Sequence, residues 1–183
     1  MPATKSQLAR PEPGEYAPYH EQYISLVPGS DILFALESGL RQTTILFAAR
    51  SERDGEFRYA PDKWSVKEVL GHISDCERHF AYRAMRFARN DKAPIEGFEQ
   101  DDYVRNGGFG GRRLADLAAE FSHVRNATLA LFRGFDGEAW LRRGVANKNE
   151  VTVRALAWIT AGHELHHRRI LEERYLPFIR RAT

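Results

Sequence analysis

Ala161-Gly162-His163-Glu164-Leu165-His166-His167-Arg168-Arg169-Ile170 is the stretch on which the reading of this chain turns. At about 100° per residue, a helix through it sets His163 and His167 about 40° apart, one turn from each other on one face. Leu156, Ile159, Ile170 and Leu171 fall on the same face. The periodicity predicts a helix from Thr152 to Tyr175, ending ahead of Pro177, with two imidazoles in the middle of its apolar stripe. Desolvating two adjacent imidazoles without partners is unfavourable, and a shared metal ion relieves that cost.

Outward from this helix the same period recurs three times. A first helix is expected from Asp31 to Arg50, capped by Ser30, with Ile32, Leu33, Leu36, Leu40, Leu46 and Phe47 in helical spacing. A second runs from Ser65 to about Asn90. Ser65 and Glu68 form a capping box, and Trp64 is placed to staple onto Val69. A third spans Leu114 to Phe132 and stops at Gly134, although Gly111-Arg112-Arg113 offers no Ser or Thr cap. No strand hairpin and no internal repeat is apparent. The expected fold is all-α, a four-helix bundle, and its long connections permit a crossover. Residues 1–29 hold five of the eight prolines and read as an extended lead-in, packed on the body through Tyr16, Tyr19, Tyr23, Ile24 and Val27. Residues 30–183 then form a single domain.

Composition narrows the function classes. At 183 residues, 43% hydrophobic and 28% charged, the chain is sized for one folded core and is not a disordered or low-complexity protein. Its one cysteine, Cys76, excludes an internal disulfide and suits a reducing cytoplasm. A net charge of +2, spread along the chain, argues against a nucleic-acid partner. No apolar run approaches the roughly 20 residues of a membrane span, and the N-terminus lacks an apolar signal core. The glycines of Gly107-Gly108-Phe109-Gly110-Gly111 lack the strand and the Lys-Ser/Thr ending of a phosphate loop, so a flexible connector is expected.

A metal needs at least one more ligand, and the second helix offers two. His72 lies on the flank of the apolar face made by Val69, Ile73, Phe80 and Phe87; His79 lies two turns further on, beside Cys76. Spacing alone leaves both open. Glu68, Asp75 and His79 also suit capping, salt bridging and a solvated edge. His163-Glu164-Leu165-His166-His167 matches the H-E-x-x-H pattern of zinc proteases, with Glu164 as general base. Only 16 residues follow His167, however, with no H-x-x-G-x-x-H extension. Glu172 and Glu173 stand too close to serve as the downstream ligand, and no cleft-lining sheet is evident. A protease is disfavoured.

Lys63-Trp64-Ser65-Val66-Lys67-Glu68-Val69-Leu70-Gly71-His72-Ile73-Ser74-Asp75 and the histidine stretch above resemble the DinB/YfiT-like family of metal-binding four-helix proteins. Phe80-Ala81-Tyr82-Arg83-Ala84 and Val151-Thr152-Val153-Arg154-Ala155-Leu156-Ala157 are similar as well, so the resemblance runs from about Ile32 to Tyr175. It implies an up-down-down-up bundle and a divalent ion, zinc, nickel or iron, on His72, His163 and His167. By analogy it selects His72 over His79 and leaves His166 without a role. It also implies a low-molecular-weight thiol as a cofactor, since related enzymes transfer bacillithiol or isomerise with mycothiol.

Three neutral imidazoles leave open positions for water, and hence hydrolysis, or for a thiolate nucleophile. The expected function is therefore a metal-dependent thiol transferase or hydrolase acting on a small molecule. The alternative is a non-catalytic metal-binding helical module, small-molecule-binding or structural and compatible with a homodimer, whose open position would hold an apolar plug instead of a polar pocket. Glu164 and Asp75 are the candidate catalytic side chains, with Glu77 a further helper. The acidic stretch Glu99-Gln100-Asp101-Asp102-Tyr103 is expected to be a solvated connector.

Overall fold

The computed structural model describes residues 8–179; residues 1–7, which include Pro2 of the expected lead-in, and 180–183 lie outside the described residues. Four long helices dominate: α1 (Ile32–Ala48), α2 (Val66–Ala88), α3 (Leu114–Arg133) and α4 (Val153–Ile170), the last running on into a π-helical turn at Leu171–Tyr175. Their starts follow the local chemistry. Ser65 and Glu68 exchange both hydrogen bonds of a capping box, and Thr152 Oγ1 accepts from Ala155 N at 3.0 Å. At α1 the cap is Asp31, one residue past the expected Ser30, with Oδ1 accepting from Phe34 N at 3.0 Å. The missing cap of α3 is supplied from another element. Leu114 N donates to Glu52 Oε2 at 2.9 Å, from the short helix Glu52–Gly55.

Side-chain pairs fix the sense of each helix. Thr44 meets Ser122 at 3.3 Å and Glu37 pairs with Arg133, so α1 and α3 are antiparallel. Lys67 reaches Gly110 O just ahead of α3, and Arg125 bonds Glu77 a few turns along, so α2 and α3 run parallel. Tyr175 Oη donates to Trp64 O at 2.8 Å while Phe80 meets the His163 ring at 5.6 Å, so α2 and α4 are antiparallel. The result is an up-down-down-up bundle in which α1 and α2 each pack against both α3 and α4. Parallel neighbours α2 and α3 need a connection that returns along the bundle, which accounts for the long segment between them.

That segment and the next depart from expectation. The sequence suggested no hairpin, but β1 (Arg143–Ala146) and β2 (Asn149–Thr152) pair antiparallel, from Arg143↔Thr152 to Ala146↔Asn149. Asn147 and Lys148 both have positive φ, 47° and 63°, as a two-residue type I′ turn requires. The signal is weak in sequence because Lys148 occupies the position where glycine is favoured. Ile95 joins the ribbon, donating to Val145 O and accepting from Asn147 N. The glycine-rich stretch is anchored, not a loose connector: Phe109 is buried against Gly71, where an added Cβ would lie 2.4 Å from the ring. The acidic stretch leads into a short helix, Gln100–Asn106.

Residues ahead of α1 lie across α4. The Glu15 carboxylate accepts from Thr152 Oγ1 at 2.8 Å and from Arg154 Nε at 3.1 Å, and Trp158 Nε1 donates to Leu8 O at 3.2 Å. Gly162 lets the short helix Glu21–Ile24 sit directly on α4, for a Cβ there would stand 2.1 Å from Tyr23 O. The apolar core falls into two clusters, one around Phe87, Phe132, Trp140 and Trp158, the other around Phe47, Leu70, Phe121 and Leu171. Along each helix a buried polar residue stands between them: Thr43 on α1, His72 and Glu77 on α2, Arg125 on α3, His163 and Glu164 on α4. The bundle therefore carries a polar layer at mid-height. Among the described residues, no helix is long and apolar enough to cross a membrane.

Candidate metal centre

His163 projects from the middle of α4 into that layer, and one turn on, His167 follows it. His72 comes to them from α2. His72 Nε2 and His163 Nε2 are 3.2 Å apart, and His163 Nε2 and His167 Nε2 are also 3.2 Å apart. All three ligand atoms lie within 4.8 Å of one another, the one group of three or more such donors among the described residues. A neutral imidazole Nε2 either donates or accepts, so His163 cannot satisfy both neighbours as a conventional chain of hydrogen bonds. Three lone pairs directed at a single cation remove the conflict.

The electrostatics agree with that use. Burial, reinforced by the neighbouring imidazoles, pushes the His72 group down to about 4 and holds His163 and His167 well below the ordinary histidine range. Each ring is therefore neutral at pH 7, the form a metal requires. Trp64 shields the outer side, its ring 4.6 Å from His72 and nearly parallel to His167 at 6.4 Å. Tyr23 stands edge-on to His163 at 5.4 Å. The Cys76 sulfur lies 3.6 Å from both ring nitrogens of His72, and burial pushes its thiol up to about 12.

On its other side His163 opens into a chamber of about 270 Å³ between the lead-in, α2 and the 97–100 segment. Tyr23, Cys76, Phe80 and Phe98 line it, together with the polar side chains of His20, Arg83, Glu99, Gln100 and Asn147.

The other sequence candidates are placed elsewhere. His79 stacks on Phe98, centroids 3.9 Å apart, outside the trio. His166 packs edge-on to Tyr23 at 5.3 Å. Glu164 turns away to α1 and α3, accepting from the Thr43 hydroxyl, with Arg168 at 3.3 Å and Arg125 at 3.8 Å. Glu77 is held in two 2.8 Å bonds by Arg125, and Asp75 pairs with Arg78 at 3.0 Å. None of these three carboxylates lines the chamber. A general-base role for Glu164 beside the metal, as in a zinc protease, does not fit this placement.

Sequence reasoning passed over His20 and Arg83 as site residues. For Arg83 a signal existed. It stands eleven residues after His72 and seven after Cys76, within about 20° of the same helical line. His20 lies in a proline-rich segment without a period, so nothing marked it.

A mid-bundle trio of neutral imidazoles in an up-down-down-up helical bundle defines a class of bundle proteins built around a candidate metal site. Within it, the chain belongs to the DinB superfamily, whose family model matches residues 35–171. Among solved structures the fold is similar to YfiT from Bacillus subtilis, described as a probable metal-dependent hydrolase with an unusual four-helix bundle topology. The TM-score is 0.66 at 16% identity, over 91% of this chain and 95% of that one, a likeness of fold. No curated protein matches the chain.

Proposed function

We propose that the protein is a metal-dependent enzyme, with one divalent ion on His72, His163 and His167 and a small-molecule substrate admitted through the chamber beside His163. The observation that carries this reading is the convergence of three neutral Nε2 atoms, those of buried His72 and His163 and half-buried His167, with His163 3.2 Å from each of the other two. Ligands at about 2.0–2.1 Å from a tetrahedral ion stand about 3.3 Å from one another. Zinc, nickel and iron all suit imidazole donors. When bound, such an ion supplies Lewis acidity and brings the pKa of coordinated water toward neutrality.

The chain's own residues do the rest. α4 presents two ligands from one rigid face, Trp64 packs against His72 and His167 on the outer side, and Tyr23 and Cys76 contact the rings of His163 and His72. The chamber lining favours an enzyme over a non-catalytic module, because His20, Arg83 and Asn147 line it where a structural site would be plugged by apolar side chains. Hydrolysis is the reaction class supported best. The bundle's likeness to a protein described as a probable metal-dependent hydrolase favours the same class.

Elemental analysis should find about one ion per chain in the wild type and far less in each of His72→Ala, His163→Ala and His167→Ala. Metal-loaded wild type should hydrolyse members of a panel of small esters, amides and lactones, and His163→Ala should not. Activity only with an added low-molecular-weight thiol would move the protein to the transferase class. Stoichiometric metal in the His72→Ala protein would remove His72 from the ligand set.

A further inference from the structure

The bundle buries two guanidinium groups at the level of the site, and their surroundings differ. Arg125 is completely buried and fully partnered: Nε and Nη2 donate to the two oxygens of Glu77 at 2.8 Å, and Nη1 donates to Leu36 O at 3.0 Å. Arg83 is almost as deep, 7% exposed, and faces the chamber. It makes one hydrogen bond, from Nη2 to Glu96 O at 3.2 Å, while its buried Nε has no partner. No carboxylate among the described residues pairs with it, Glu99 on the same chamber included. His20, on the same chamber, likewise leaves a buried Nδ1 without a partner. A buried cation with unused donors is costly unless something else supplies the counter-charge.

We propose that Arg83 is the specificity residue of this chamber and takes an oxyanion of the substrate, a carboxylate or phosphate group, with His20 and, from the histidine trio, His163 on the same chamber. The planar fork of arginine matches either oxyanion in two parallel bonds, and Nε is one of the donors that such a bond uses. The chamber's roughly 270 Å³ is small for a ligand site, so the partner is a compact molecule carrying that charge. The assignment rests on the reading of the chamber as a substrate site, but not on a metal being bound.

Succinate and inorganic phosphate serve as probes, with succinamide as the uncharged isostere, in calorimetric titrations of the full chain both metal-loaded and stripped by chelator. Wild type should bind at least one of the two oxyanions and not succinamide, with or without metal; which one binds identifies the group. Arg83→Gln should weaken that binding by roughly ten- to a hundredfold, the factor expected from losing a charge-assisted hydrogen bond. Arg83→Lys should keep part of it, with circular dichroism confirming that each variant is folded. The wild-type comparison of succinate with succinamide stands even where a variant fails to fold. Equal binding of the two, binding unchanged in Arg83→Gln, or no oxyanion binding by wild type would each overturn the assignment. Binding lost on chelation or in His163→Ala but unchanged in Arg83→Gln would place the anion on the metal, which overturns this inference and leaves the metal reading intact. Metal absent from wild type, with Arg83-dependent binding retained, would do the reverse.

Discussion

Replacing Arg125 with methionine should be among the most damaging single changes available in the bundle. The side chain has no exposure, and its guanidinium bridges Glu77, the Leu36 carbonyl and, at 3.8 Å, Glu164. Methionine fills much of the volume, so the loss is electrostatic. Glu77 is left buried with neither of its 2.8 Å partners, whereas Glu164 keeps Arg168 and the Thr43 hydroxyl. Stranding a buried carboxylate in this way costs about 3–5 kcal/mol. For a chain of this length that corresponds to a fall in Tm of roughly 6–20 °C. Urea unfolding followed by far-UV circular dichroism reads the change, with calorimetry for Tm. Because the penalty belongs to the abandoned charge, Glu77→Gln in the same chain should restore part of the loss, with a coupling energy of roughly 1–3 kcal/mol. A loss below about 1 kcal/mol for Arg125→Met, or a double variant whose loss equals the sum of the singles, would falsify the view of this layer as a charge-compensated unit.

Gly162→Ala should destabilise by about 1–3 kcal/mol even though alanine is the better helix former, because its methyl would stand 2.1 Å from Tyr23 O; a Tm equal to or above wild type refutes the close approach. His20 is held down to about 4 by burial, with the Arg83 charge adding to it. Its folded-state value lies below the unfolded 6.5, so its contribution to stability is complete above about pH 6.5 and is lost as pH falls toward 4. In metal-free protein the stability difference between wild type and His20→Asn should therefore change across that window; a difference constant from pH 7 to 4 counts against it. Chelation should lower Tm yet leave helical circular dichroism largely intact, since the two apolar clusters do not need the ion. Collapse of the helical signal in chelator would mean that folding depends on metal, as in small zinc domains.

The long helices were legible because period and capping agree. Ser65 with Glu68, Thr152, and the apolar rows of α1 to α4 mark elements whose ends shift by only a few residues in the structure. The pair His163 and His167 was legible for the same reason, since two imidazoles on a buried stripe contradict the pattern around them. His72 was harder. Spacing left it level with His79, and what separates them in space is the position of Phe98, which stacks on His79 from another segment. Everything set by contacts distant in sequence was hidden. The hairpin turns on Asn147 and Lys148 adopting positive φ, α3 takes its cap from Glu52, and Glu164 turns to Arg168 and Arg125 although a helical wheel allows it toward the histidines.

The short helix Glu21–Ile24 and the turn before it belong to neither the four-helix frame nor the segment matched by the family model, which starts at residue 35. They nevertheless supply Tyr19, His20 and Tyr23 to the chamber. The chamber wall is thus built from two parts of the chain, Arg83 and His163 from the frame and Tyr19, His20 and Tyr23 from the segment ahead of it, joined through the bare backbone of Gly162. Exchanging residues 16–24 for another sequence would leave the three histidines, Arg83 and the buried ion layer in the chain while giving the chamber a new wall and His163 a new neighbour in place of Tyr23. Two proteins could in this way share a frame and a metal yet diverge in diet. A chain cut back to residues 35–171 would retain the trio and Arg83 while losing the wall that Tyr19, His20 and Tyr23 give the chamber.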